Sequence, residues 1–174
     1  MRENGQVVDA DEASFNSKYE KTLASNLAFE IFRPLHADSK RLAVVDYAGA
    51  KPTEVDAKGL LVLATLLADR LKKATSAKRV GIVLPPGIGG VVANLAVVFA
   101  DKVPVNLNFS LGRAAVESSI QRAGIDLLLS AEKVRAKLKD FPWIPGYLDI
   151  GIALEEIRGS KLRLMRRALV LALP

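Results

Sequence analysis

Cysteine is absent from this 174-residue chain and histidine occurs once, at His36. Without cysteine there is no disulfide framework, no thiolate zinc site and no cysteine nucleophile. A single imidazole excludes any metal site that needs two and leaves one candidate for a histidine base. Aromatic residues make up only 6% of the chain. They are not interleaved with the basic residues, so no stacking platform for single strands is present and no nucleic-acid partner is expected. The opening Met1-Arg2-Glu3-Asn4-Gly5 lacks the apolar region of a secretory signal. The uncharged run from Val80 to Ala100 has the roughly 20 residues of a membrane span. Pro85-Pro86, Gly87, Gly89 and Gly90 interrupt it, however, and no continuous helix survives them. It reads as a buried strand, a turn and a buried helix. A cytoplasmic location is expected.

Half of the residues are hydrophobic and a quarter are charged, the balance of a globular domain rather than a disordered one. The length suits one domain, which buries about 70% of its unfolded surface without staples. The net charge is +6, from 25 basic and 19 acidic residues, and it is unevenly spread. Met1 to Glu30 holds three basic and six acidic residues, whereas Arg158 to Pro174 holds five basic and none acidic.

Residues 1–14 are polar, acidic and aperiodic, which predicts a flexible arm, and 15–174 form a single α/β domain. Phe15, Tyr19, Leu23, Leu27 and Ile31 make one helical stripe, which Arg33-Pro34 should end. Arg41–Tyr47 is a strand, with a turn at Gly49 and Pro52 and a short return strand at Thr53–Val55. A helix follows over Ala57–Ala74, with Leu60, Leu63, Ala64, Leu67, Leu71 and Ala74 inward. Strand Val80–Leu84 leads into helix Ile88–Ala100, then into Val103–Asn108 as strand and loop. The next helix, Gly112–Ala123, turns Val116 and Ile120 inward. Ser110 is its expected N-cap and Gly124 its C-terminal glycine. Strand Ile125–Leu129 precedes a short helix capped by Ser130. A turn at Phe141–Gly146 and a strand at Tyr147–Ile150 lead to a final helix over Leu154–Leu173. Apolar strands alternating with helices every 20 residues or so predict a doubly wound α/β fold. Its sheet is mainly parallel with helices on both faces, a Rossmann-like three-layer sandwich.

Gly87-Ile88-Gly89-Gly90 sits where such folds hold phosphates, between a strand and a helix N-terminus. Val92 stands where a dinucleotide fingerprint needs its third glycine, and no lysine completes a Walker-type loop. The glycines therefore read as a tight turn with close helix packing, and a small anion site there is the lesser alternative. His36 reads as a surface histidine in a loop, which could act as a base only with a partner such as Asp38 or Asp46. Glu155 and Glu156 are adjacent, so they point in different directions and read as a solvated face. Ser118, Ser119 and Ser160 lack the flanking glycines of a nucleophile elbow. No catalytic, cofactor-binding or metal-binding residue is assigned. The end of the chain, residues 161–173, is a basic stretch running into apolar residues. It reads as a helix whose packing partner lies in a following stretch of chain, with an anionic membrane surface as the alternative.

The stretch from Arg79 to Leu138 resembles the N-terminal part of AMP-forming acyl ligases, the acyl-CoA and acyl-carrier-protein synthetases and their adenylating relatives. Arg79-Val-Gly-Ile-Val-Leu-Pro-Pro86 is similar to the family's strand ending in Leu-Pro, although Pro86 replaces an asparagine. Val92–Ala100 resembles the following helix, Val103–Asn108 the proline-containing strand, and Leu127–Ser130 the strand after that. The resemblance implies carboxylate activation with ATP and magnesium to an acyl-adenylate, then transfer to a thiol. The wording around Asn106 and Leu111-Gly112 is closest to ligases of phospholipid acyl recycling, so a fatty acid substrate is implied. The family's phosphate loop, its adenine and ribose contacts and its catalytic lysine have no match here. The resemblance thus implies an inactive N-terminal scaffold portion that binds no cofactor itself. Its implied partner is the remainder of the ligase, and exposed apolar surface would favour a homo-oligomer. The full-length ligase could be membrane-associated. The alternative is a non-enzymatic interaction or membrane-surface module that uses the basic C-terminal helix.

Overall fold

The structure, a computed structural model, describes residues 25–170. The expected arm at 1–14 and the first part of the Phe15–Ile31 stripe lie outside these residues. Helix α1 spans Leu27–Ala37, and the Asn26 side chain caps it by accepting from the Ala28 N–H at 2.8 Å. Pro34 lies inside α1 and does not end it. A proline lacks its own N–H and crowds the carbonyl four residues back, yet the Asp38 N–H still donates to the Pro34 carbonyl and closes the last turn. Phe32, stacked on His36 and edge-on to Phe99, fastens that turn to the rest of the molecule. His36 is thus a half-buried helical residue, not a loop residue.

Strands β1 (Leu42–Asp46) and β2 (Thr53–Asp56) pair antiparallel as a separate two-stranded sheet. Helix α2 (Ala57–Ala74) follows directly, with the Asp56 carboxylate accepting from the Gly59 N–H. Its inward face is as the periodicity predicts, except that Ala74 is exposed. Leu61, Val62 and Ala68 are buried as well, because α2 packs against α1, α3, α6 and α7 at once.

The main sheet has four parallel strands in the order β4-β3-β5-β6, namely Val103–Asn106, Arg79–Val83, Leu128–Ser130 and Tyr147–Asp149. From β3 the chain passes through α3 (Ile88–Phe99) to β4. It then returns through α4 (Arg113–Ala123) to β5 on the other side of β3. Helix α5 (Glu132–Lys137) leads to β6, and α6 (Ile150–Gly159) and α7 (Lys161–Val170) follow. Alternate residues of β3 serve the two faces. Val80 and Ile82 join α2, α3 and α6 in the larger core, while Val83 joins Val116, Ile120 and Phe141 of the smaller one. Leu67, Leu71 and Leu129 are fully buried, and each such side chain contributes roughly 1.5–3 kcal/mol. The fold is doubly wound α/β, as the strand spacing predicts.

Three local details differ from expectation. Gly112, not Ser110, is the N-cap of α4, because Ser110 is held by the Asn108 carboxamide in a tight turn. Ser130 does not cap α5, for it is fully buried and donates its hydroxyl to the Val83 carbonyl at 2.6 Å. The predicted final helix is two helices broken at Ser160. The bend lets both lie on α2, where Arg70 pairs with Glu156 of α6 and Arg167 of α7 pairs with Asp69.

Candidate functional site

In an open doubly wound sheet, ligands bind outside the carboxyl ends of the strands where the strand order reverses. Here that point lies between β3 and β5, and the Pro85–Gly90 turn stands over it. Gly87 begins α3 with φ 140°, a conformation that side chains rarely adopt. A Cβ at Gly87 would also lie 2.6 Å from the Asp46 carboxylate. That carboxylate, at the end of β1, accepts from the Ile88 N–H at 2.9 Å through Oδ2 and from the Ala48 N–H at 2.8 Å through Oδ1. The bond from Ile88, then the one from Ala48, holds the Asp46 carboxyl below its ordinary value of 3.8, against a smaller opposing effect of desolvation. The positive end of α3 thus has an anion already, and that anion is part of the protein.

The same device recurs along this edge. Asp149, at the end of β6, accepts from the Ile152 N–H at the start of α6 through Oδ1. Through Oδ2 it accepts from the Glu132 N–H at the start of α5 and from the Tyr147 hydroxyl. Burial, followed by the neighbouring Asp149 charge, pushes the Tyr147 phenol up to about 12. Between these two carboxylates, Ser130 ties the carboxyl ends of β5 and β3 together.

What stays open is a shallow groove of about 470 Å³ walled by Leu84, Pro85, Pro86, Val91 and Leu95. Its polar groups are Asn94 and Asn106, which exchange hydrogen bonds at 3.2 and 2.9 Å. Asn94 also donates to the Gly90 carbonyl. No charged side chain lines the groove. A nucleoside triphosphate with its magnesium needs cations or free N–H groups, and these residues do not fit one.

The other sequence candidates are scattered. Glu155 and Glu156 are both exposed on α6, and Glu156 is committed to Arg70. Ser119 bonds back to the Ala115 carbonyl within α4, and Ser160 ends α6. Among the described residues no cluster of His, Asp and Glu could hold a metal, and no helix is long and apolar enough to cross a membrane. In the sequence Asp46 stands out only as a partner for His36, and Asp149 does not stand out. The available signal was an acid closing an apolar strand just before a turn or helix.

Comparison with solved structures finds this architecture in adenylate-forming enzymes. A fatty acid AMP ligase from Legionella pneumophila superposes with a TM-score of 0.60 at 15% identity, over 80% of this chain and 26% of that one. A benzoate CoA ligase from Burkholderia xenovorans LB400 gives 0.60 at 17%, over 75% and 28%. The N-terminal subdomain of NpsA from Klebsiella oxytoca, solved with anthranilyl-AMSN, gives 0.59 at 16%, over 75% and 34%. The chain has a fold found within adenylate-forming enzymes. It spans about a quarter to a third of each of these three chains. No protein-family model matches the sequence, and no curated protein does.

Proposed function

We propose that this chain is the first α/β portion of an AMP-forming acyl ligase, which activates a fatty acid with ATP and passes the acyl group to a thiol. The observation that carries the reading is the agreement of fold and sequence order. The segments resembling the ligases, Arg79–Pro86, Val92–Ala100, Val103–Asn108 and Leu127–Ser130, fall on β3, α3, β4 and β5 of a fold found in adenylate-forming enzymes. On this reading the chain alone is a scaffold and is inactive. Its partner is the remainder of the ligase, and that remainder holds the ATP and magnesium. The carboxylates of Asp46 and Asp149 on the helix N-termini, and the absence of charge in the groove, support that division.

Isothermal titration of the 174-residue protein with ATP and magnesium should give no heat of binding. A micromolar dissociation constant would overturn the assignment of the phosphate contacts to other residues. The coding sequence downstream of Pro174 should specify a glycine-rich loop ending in lysine. Its absence would count against the ligase reading itself.

A further inference from the structure

Helix α7 turns two apolar faces in different directions. Leu164 packs against the core, and Arg167 reaches back to Asp69 of α2. Leu162, Met165 and Leu169, spaced by three and four residues, form a second stripe and are 60%, 70% and 67% exposed. Met165 also borders a groove of about 830 Å³ between α7 and the two-stranded sheet, and Leu42, 51% exposed, stands on its far wall. Lys40 and Lys58 line the same groove. So do Glu54 and Asp56, the latter turned to the Gly59 N–H.

We propose that this stripe forms a docking surface for an anionic lipid bilayer. The argument rests on charge and does not depend on the ligase reading. In sequence α7 carries four basic residues, Lys161, Arg163, Arg166 and Arg167, and no acidic one, and Arg167 is paired with Asp69. A second copy of α7 would therefore bring like charges together. An anionic lipid surface, in contrast, complements the charge while its acyl layer accepts Leu162, Met165 and Leu169. No helix among the described residues is long and apolar enough to cross a bilayer, and the exposed stripe of α7 suits a helix lying in its plane.

Co-sedimentation with vesicles of phosphatidylcholine, with and without phosphatidylserine, tests the proposal. Binding to the anionic vesicles should exceed binding to neutral ones by about tenfold and should fall steeply with added salt. Leu162→Glu with Met165→Glu should lower it by about tenfold or more with unchanged thermal melting, since both positions are exposed. Lys161→Glu should weaken binding while leaving the apolar stripe intact. Undiminished binding by the double variant overturns the proposal, as does failure of the parent chain to sediment with anionic vesicles. It is likewise overturned by a dimer in analytical ultracentrifugation that the double variant dissociates while no vesicle is bound. The last result would assign the stripe to a second copy.

Discussion

Gly146 precedes β6 and lies against the loop that leads into β5, closer than any side chain permits. A Cβ there would stand 1.8 Å from the Asp126 carbonyl oxygen, 2.9 Å from its carbonyl carbon and 3.4 Å from the Leu127 Cα. All three are backbone atoms, so no side chain can swing aside. Widening the first distance from 1.8 Å to 3.0 Å, below which real contacts essentially never fall, parts the two segments by about 1.2 Å. The Leu128 N–H donates to the Gly146 carbonyl at 2.9 Å, and a parting of that size breaks the bond. Gly146→Ala therefore loses a hydrogen bond of about 1 kcal/mol and adds overpacking of about 1–3 kcal/mol. The lower entropy of the unfolded alanine chain returns only about 0.4–1 kcal/mol. The net cost is about 1–3.6 kcal/mol, or roughly 2–14 °C in melting temperature for a domain of this size. Gly89→Ala is the paired control. It lies within α3 with nothing inside 4 Å of its Cβ position, so it should stabilise by about 0.5–1 kcal/mol. Circular-dichroism melts of both variants decide the matter. A Gly146→Ala protein that melts within about 2 °C of the parent would refute the close approach.

Asp46→Asn keeps the shape of the side chain but removes the charge at the start of α3. Because the folded carboxyl titrates below 3.8, its contribution is present above the unfolded value and disappears as pH falls through the lower folded one. The melting gap between parent and variant should therefore close in acid, and a gap that persists there would contradict the cap. Tyr147 behaves in the opposite sense. Its phenol is raised from 10.0 to about 12, so its contribution is complete below the unfolded value and is lost as pH rises through the folded one. Phenolate absorbance should show a tyrosine step at about 12, and Tyr147→Phe should abolish that step. A spectrum in which Tyr147→Phe removes no step above 10 would refute the contact with Asp149.

The elements most legible in the sequence are those whose periodicity and boundaries agree. Helix α2 has an unbroken apolar face, an acid just before it and a basic pair at its end, and it spans Ala57–Ala74 as read. The turn before α3 was legible for a similar reason, since two prolines and three glycines leave few other conformations. What escaped were choices made by distant partners. Nothing local says that β1 joins β2 in a separate sheet rather than the parallel one. Pro34 was overruled by packing around Phe32, and Ser130 is a good cap by type but is claimed by the Val83 carbonyl 47 positions away. The Leu154–Leu173 run is periodic across its own break, so only the packing of both halves on α2 shows that it bends. The candidate site was half legible. Gly87–Gly90 marks the place, but the residue that decides its chemistry, Asp46, comes from another sheet.

A helix N-terminus attracts one anion, and the attraction does not distinguish a phosphate from a carboxylate. Asp46 accepts from Ile88 and Asp149 accepts from Ile152 and Glu132, so the N-termini of α3, α5 and α6 already hold a carboxylate of the fold. An incoming phosphate would have to displace a tethered carboxylate of its own sign, at a position where the tether gives the carboxylate a high effective concentration. The edge that a doubly wound sheet commonly offers to a nucleotide is therefore a structural joint in this chain. Asp46 uses it to fix the two-stranded sheet to the start of α3, and Asp149 uses it to bind α5 and α6 to β6. On the proposed ligase reading, phosphate recognition falls to cationic groups supplied by other residues.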